Sequence, residues 1–254
     1  MTKLNALCLI QARTESKRLP SKALLKLGEY PILEWVIRRV QSSKKLSQVV
    51  LATTTRPADD ALYELAISLG IEVFRGDEND VLARFTGATE LFPADVVVRV
   101  CADNPFVSGH EIDVLISDFE ANPVDYHFNH RPDSRCDYPD GAGAELFTLE
   151  VLRKLNLSVT DNSMREHLTL AVSTLGEHRI RAVEARSSVA YPYLKFDLDV
   201  KTDYETLTQL VETANLNFES TIEEIVRAKI ALEVQHKLEL LFGLNRSLAG
   251  QDNR

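Results

Sequence analysis

Residues 7–22 read LCLIQARTESKRLPSK. An apolar run from Ala6 to Ile10 stops abruptly at a polar segment that holds Arg13, Lys17, Arg18 and Lys22 within ten positions. A short, unbroken apolar run of this kind reads as a buried parallel strand. The polar segment is then the loop at its carboxyl end, where open α/β sheets bind ligands. Pro20 stiffens that loop. Four cations there must either stand in water or face an anion, and their placement at the sheet edge suits a polyphosphate. There is no GK[ST] and no G-x-G-x-x-G, so neither a P-loop nor a dinucleotide fingerprint is present.

Working outward, Ile32, Leu33, Val36, Ile37 and Val40 recur at helical spacing beside Trp35, which makes a helix covering the first strand. Residues 49–52 form a second strand that breaks at Thr53-Thr54-Thr55. A helix over 59–69 is closed by Gly70. Residues 72–74 form a third strand opening into Arg75-Gly76-Asp77-Glu78-Asn79-Asp80, and a helix comes next over 81–91. Residues 96–100 are a fourth strand ending at Cys101-Ala102-Asp103-Asn104-Pro105. Strands and helices alternating at this cadence specify one doubly wound, mostly parallel α/β sheet. The polar punctuation falls after each strand, so the 13–22 loop, residues 53–56, residues 76–84 and Asp103 are expected on one rim.

The stretch 126–143 is irregular, with Asp133, Asp137, Tyr138 and Asp140, and a connection of that length is expected to be functional. A strand at 144–147 resumes, with a helix after it around 149–155. A helix over 162–175 carries Arg165, Glu166 and His167 near its start. Strands are expected at 179–185 and 193–200, the second holding Asp197-Leu198-Asp199. Thr202-x-x-Glu205 and Ser220-x-x-Glu223 read as capping boxes of two terminal helices. The expected organisation is a domain over 1–218, with 126–185 as its acceptor-binding and dimerisation excursion, and a terminal helix and tail over 219–254.

With 44% hydrophobic and 26% charged residues the composition is that of an ordinary globular protein. A net charge of −9 argues against a nucleic-acid surface but not against a nucleotide, because the cations are local. Three cysteines without paired spacing point to reduced thiols in the cytosol. No apolar run reaches the length of a membrane span, and residues 7–10 are too short for a secretion signal. A soluble cytoplasmic protein is expected.

Two acidic sites stand out. Asp103, directly after a buried strand, suits a turn or a Mg2+ held against phosphate oxygens. Asp197 and Asp199, two apart on a strand, share a face, and they are either a solvated pair or a repelling pair relieved by a divalent cation. His127-x-x-His130 with Cys136 lacks the fourth ligand of a zinc site.

The spacing Arg13-x-x-Ser16-x-Arg18-Leu19-Pro20-x-Lys22 resembles the nucleotide loop of the CTP-dependent sugar-acid cytidylyltransferases, the CMP-Kdo and CMP-sialate synthetases among them. Gly76-Asp77-Glu78-Asn79-Asp80-Val81-Leu82-Ala83-Arg84, Tyr138-Pro139-Asp140-Gly141 with Glu145, and Arg165-Glu166-His167 look in particular like the spore-coat-polysaccharide branch. That branch usually reads Gly-Leu-Asp-Val-Glu where this chain has Gly141-Ala142-Gly143-Ala144-Glu145, so an acid is missing at Gly143. The resemblance implies a nucleotide-diphospho-sugar transferase-like fold. It implies a nucleotide site of Gln11, Ala12, Arg13, Ser16, Arg18, Lys22, Thr54, Asp80 and Arg84, and Mg2+ on Asp103 and Asp199 with Asp197 supporting. Arg13, Lys22, Asp103 and Asp199 would be the catalytic set. Tyr138, Asp140, Glu145, Arg165 and His167 would meet the acceptor, with Arg165 and His167 gripping its carboxylate.

The function so implied is transfer of CMP from CTP to a 3-deoxy-2-ulosonate-type sugar acid, with release of pyrophosphate, for cell-surface polysaccharide. Two alternatives stay open from the residues: a nucleotidyltransferase or glycosyltransferase of the same fold with another nucleotide or acceptor, and a non-catalytic nucleotide-binding module. The apolar stripe of the last helix, through Val234, Leu238 and Leu241, exceeds what one small sheet covers and implies a homodimer.

Overall fold

The computed structural model describes residues 3–130, 136–172, 176 and 179–249, with side chains described as far as residue 238. In chain order, β1 (Ala6–Gln11) leads through a 3-10 turn at Lys22–Leu24 to a small hairpin, β2 (Lys26–Leu27) and β3 (Tyr30–Pro31). Then come α1 (Ile32–Gln41), β4 (Gln48–Thr54), α2 (Asp60–Ser68), β5 (Glu72–Gly76), α3 (Val81–Leu91) and β6 (Val96–Cys101). The second half runs α4 (Gly109–Ala121), β7 (Tyr126–Phe128), β8 (Glu145–Thr148), α5 (Leu149–Ser158), α6 (Asn162–Glu166), α7 (Leu168–Val172), β9 (Ile180–Ala182), α8 (Lys201–Ala214) and α9 (Ile222–Ala249).

Among the described residues seven strands form one sheet in the order β5-β4-β1-β6-β8-β7-β9. Every pairing is parallel except the two made by β8. The sheet is therefore mostly parallel and wound on both faces, as the strand-helix cadence requires. Strand β1 shows why its sequence is apolar throughout. Leu7 and Leu9 face one core layer with Val81, Phe85, Val151 and Leu210, while Ala6, Cys8 and Ile10 face the other with Leu33, Val36, Leu62 and Ile112. A strand buried on both sides cannot alternate.

The chain runs outward from β1 to β4 to β5, then crosses back to place β6 on the other side of β1. Strand order thus reverses between β1 and β6, and the crevice beyond the carboxyl ends of those two strands is where this architecture binds ligands. Both the 13–22 loop and Asp103 leave the sheet at that point.

Several local expectations change. Residues 193–200 pair with no neighbour as a strand, apart from an isolated bridge between Asp140 and Lys195. Phe196 and Leu198 are buried, so the alternation is real. The backbone, however, is shared between two loops: Phe196 N–H donates to the Asp140 carbonyl at 2.9 Å and Leu198 N–H to the Asp103 carbonyl at 2.9 Å. Alternation reports burial, not a ladder. The helix expected over 162–175 breaks into α6 and α7 at His167, and residues 173–175 lie outside the described residues. The strand expected at 179–185 is Ile180–Ala182.

Thr202 and Glu205 do not cap α8, which already begins at Lys201. There the Asp203 carboxylate accepts from Asp199 N–H at 2.9 Å and Val200 N–H at 3.0 Å. The box of α9 is shifted by one residue, to Thr221 and Glu224. Helix α4 escapes the periodicity reading although Ser108-x-x-Glu111 marks its start, where Glu111 N–H donates to Ser108 Oγ at 3.3 Å.

Candidate active site

The loop after β1 is fixed before any ligand arrives. Thr14 donates its N–H and its hydroxyl to Asp59 Oδ1 at 2.7 and 2.6 Å, and the other Asp59 oxygen accepts from the Thr54 hydroxyl. Burial alone would raise the Asp59 pKa, but these hydrogen bonds hold its carboxyl below the ordinary range. Further along, Ser21 N–H returns to the Thr14 carbonyl at 2.8 Å, and Ser21 adopts a left-handed backbone with φ 54°. A non-glycine residue accepts that conformation at some cost, and here it turns Lys22 back toward the rim. Ser16 Oγ accepts from Leu19 N–H at 3.3 Å within the same loop. Thr54, expected at the nucleotide, is instead fully buried and committed to Asp59. Asp59 gives no signal in the sequence, because its partners lie in two other segments.

At the switch point three distant segments meet on Lys22. Its ammonium donates to Asp103 Oδ2 and, at 2.7 Å, to the Leu198 carbonyl, and it lies 3.9 Å from Asp199 Oδ1. Arg18 pairs with the same Asp199 oxygen at 2.8 Å. Behind them Lys195 sits 2.6 Å from Asp203, 3.7 Å from Asp197 and 3.8 Å from Asp199. Asp103 therefore shares one crevice with Asp197 and Asp199, which come from a distant part of the chain, and with two ammonium groups. Burial, then the neighbouring Asp140 charge, pushes the Asp197 carboxyl up to about 7, and its Oδ1 is buried without a hydrogen-bond partner.

That donor set fits a hard divalent cation. It is all oxygen, one oxygen is unsatisfied, and an ammonium already bridges Asp103 and Asp199. Among the described residues no three His, Cys, Asp or Glu side chains form a cage by themselves. Mg2+ does not ask for one, because it takes one or two carboxylates and fills its octahedron with water and phosphate oxygens.

On the adjoining part of the rim, Gln11 Oε1 accepts from Arg99 Nε at 2.8 Å, and Ala12 is buried with its N–H on the Ala52 carbonyl at 3.3 Å. Arg13 pairs with Glu166 at 2.7 Å and reaches the Glu78 carbonyl at 3.5 Å. Asp80 caps α3 by accepting from Ala83 N–H at 2.8 Å. Arg84 is 1% exposed. Its Nη1 donates to the Asp77 carbonyl at 2.6 Å, while its Nε and Nη2 are buried with no hydrogen-bond partner.

The residues expected at the acceptor are engaged within the protein as well. Arg165 is spent on Asp80 at 2.7 Å and on Asn156 and Val159, so its guanidinium ties α6 to α3 and α5 rather than projecting a free fork. The Tyr138 ring is buried and its hydroxyl donates to Glu111 at 2.6 Å. Glu145 is buried on Arg99, and it also accepts from the Tyr126 hydroxyl at 2.5 Å. Burial would raise its pKa, yet Arg99 above all brings it down to about 2. His167 stands exposed at the end of α6, and Asp140 is half-buried beside the Asp197 segment.

The backbone at Gly143 leaves no room for the acid missing there. A Cβ there would lie 2.1 Å from the Asn129 carbonyl oxygen, where the Asn129 side chain also bridges to Ala144 N–H and the Glu111 carbonyl.

Comparison with known proteins places this geometry. An uncharacterised protein of Methanocaldococcus jannaschii is 42% identical over 161 residues, and the match spans 63% of this chain but just under two thirds, 64%, of that relative. The spore coat polysaccharide biosynthesis protein SpsF of Bacillus subtilis is 30% identical over 226 residues, 87% of this chain and 92% of SpsF. A 3-deoxy-manno-octulosonate cytidylyltransferase of Bdellovibrio bacteriovorus is 32% identical over 116 residues, 45% of each chain. The solved structure of a cytidylyltransferase from Leptospira borgpetersenii superposes with a TM-score of 0.81 at 26% identity, covering 92% of this chain and 96% of that one. The family model described as Cytidylyltransferase matches residues 7–225, a span that takes in the sheet, the basic loop and all three crevice aspartates. This chain belongs to the cytidylyltransferase family.

Proposed function

We propose that the protein transfers CMP from CTP to a sugar acid of the 3-deoxy-2-ulosonate type, releasing pyrophosphate, in the cytoplasm and in the service of cell-surface polysaccharide. The observation that carries this reading is the meeting of Lys22, Asp103 and Asp199 at the switch point of the sheet. The relatives' names support the acceptor class, since one acts on 3-deoxy-manno-octulosonate and another serves spore-coat polysaccharide.

In the proposed reaction the acceptor hydroxyl oxygen attacks the α-phosphorus in line. The bond from that phosphorus to the bridging oxygen of the β-phosphate breaks, pyrophosphate leaves, and the hydroxyl proton is lost to solvent. No covalent bond to the protein forms, so the chain's work is positioning and charge neutralisation. Arg13, Arg18 and Lys22 bind the triphosphate by exchanging their present carboxylate partners for phosphate oxygens. Asp103 and Asp199, with Asp197 beside them, would hold Mg2+, which polarises the α-phosphate and orders the attacking oxygen. Gln11, Ala12 and Ser16 line the loop that receives the nucleotide. His167 and Asp140 face the acceptor. Arg165, Glu145 and Tyr138 act one step back, by fixing Asp80, Arg99 and Glu111.

A screen of pyrophosphate release, with each nucleoside triphosphate set against a panel of 2-ulosonic acids in Mg2+, tests the reading. Release with CTP and one such acid is expected. Release with another nucleotide, or consumption of a nucleotide-sugar in place of a triphosphate, contradicts it.

A further inference from the structure

Three cations of the loop after β1 are each held by a carboxylate from another segment. Lys22 is held by Asp103, Arg18 by Asp199 at 2.8 Å, and Arg13 by Glu166 at 2.7 Å. In the reaction proposed above all three cations turn to the triphosphate, and Asp103 and Asp199 turn to Mg2+. Glu166 is left over. Among the described residues Arg13 is its one hydrogen-bond and ion-pair partner. A carboxylate that loses its cation beside a polyphosphate is repelled by it and calls for new donors.

The Arg13–Glu166 pair is not what holds the two segments in place. The loop is fixed by Thr14 on Asp59 and by Ser21 N–H on the Thr14 carbonyl. Helix α6 is fixed by Arg165, which reaches Asp80 and the Val159 carbonyl at 2.7 Å each and Asn156 Oδ1 at 2.6 Å. The Arg13 and Glu166 side chains are 32% and 29% exposed, so a ligand can reach both, and a pair of this kind adds little stability. It does join the nucleotide loop to the residue next to His167, the exposed side chain at the end of α6.

We propose that Glu166 is a specificity-determining residue that couples the two substrates. With the nucleotide site empty it holds Arg13. Once the triphosphate takes Arg13, the uncovered carboxylate accepts hydrogen bonds from hydroxyl groups of the acceptor. A sugar acid carries several such donors. The charge of Glu166 also turns the acceptor's own carboxylate away, which fixes the way round that the acceptor enters. Nucleotide and acceptor thereby strengthen each other's binding, and the coupling is reciprocal.

This inference rests on the transfer reaction proposed for the chain, and the experiment separates the two. CTP with Mg2+ is titrated calorimetrically into the intact wild type, Glu166→Gln and Glu166→Ala, with no acceptor present. Pyrophosphate release at saturating CTP then gives KM and kcat for the 2-ulosonic acid on which the wild type is most active. Thermal unfolding verifies that each variant is folded. Both variants are expected to bind CTP about threefold more tightly than wild type, since Arg13 is no longer held back. In Glu166→Ala, kcat/KM for the acid falls about tenfold, chiefly through KM. Unchanged or weaker CTP binding in the variants would make Glu166 a structural support of the loop and overturn the proposal. An unchanged KM would leave it without an acceptor role and overturn it equally. A wild type that binds no triphosphate, or that releases pyrophosphate with none of the acids, would refute the transfer reaction itself and this inference with it.

Discussion

Lys22 holds two carboxylates and a carbonyl from segments far apart in sequence, so each of its partners tests one part of the site. Asp103→Asn and Asp199→Asn are expected to lower turnover by at least about a hundredfold. Their thermal midpoints should stay close to wild type, because Lys22 keeps the Leu198 carbonyl in either case. Pyrophosphate release measured across a Mg2+ titration checks this, and near-normal turnover with an unchanged Mg2+ response would make either residue a turn acid.

Glu145 gives a different signature. Its folded pKa of about 2 lies below its ordinary 4.5, so its pairing with Arg99 stabilises the fold above the unfolded pKa and is lost as pH falls toward 2. The contribution at neutral pH is on the order of 3 kcal/mol. Glu145→Gln is expected to flatten the acid limb of a stability-versus-pH curve between about pH 5 and pH 2. An acid limb identical to wild type would detach Glu145 from the ion pair. The loop cations and Asp103 are legible in the sequence because each comes after an apolar run that ends sharply. Asp59, Glu166 and Lys195 are not, because their meaning lies in partners contributed by other segments.

At the scale of elements, the segment over 193–200 shows where sequence periodicity ends as a guide. Phe196 and Leu198 alternate inward as strand residues do, yet their N–H groups serve the Asp140 and Asp103 loops. This use of the backbone sets Asp197 and Asp199 beside Asp103, which a ladder strand would not do. The approach to β8 is equally constrained. Restoring an acid by Gly143→Asp drives a Cβ into the Asn129 carbonyl, and overpacking of this sort costs about 3 kcal/mol. Denaturant unfolding should register that loss, and a variant as stable as wild type would show that the contact between residues 129 and 143 yields. Helices α6 and α7 read as one in the sequence. Their break at His167 leaves Arg165 bonded to Asp80 and Glu166 on Arg13, contacts that no spacing rule foretells.

At the scale of the whole molecule, the first four strand-helix units and their common rim are readable from the order of apolar runs and polar breaks. The strands expected at 144–147 and 179–185 are β8 and β9, but β7, inside the stretch read as irregular, is not legible, because three residues carry too little periodicity to identify a strand. Among the described residues no helix is long and apolar enough to cross a membrane. Helix α9 packs Ile222, Ile225, Val226 and Leu232 inward, while Val234 and Leu238 remain half exposed. The Leu241 side chain lies outside the described residues. A two-fold dimer that covers the Val234–Leu238 face is the expected assembly. Sedimentation at micromolar concentration should give a dimer that Leu238→Glu converts to a monomer, and a monomeric wild type unaffected by that change would refute it.

If the basic loop after β1 and the aspartates beyond β6 and before α8 form one cytidine-nucleotide site, a single titration shows it most directly. The protein is titrated calorimetrically with each of the four nucleoside triphosphates in Mg2+, and the series is repeated with Lys22→Met. CTP is expected to bind most tightly, and Lys22→Met to weaken it by about tenfold or more. Equal affinity for all four triphosphates, a preference for ATP or UTP, or a Lys22→Met variant that binds CTP as wild type does would contradict it.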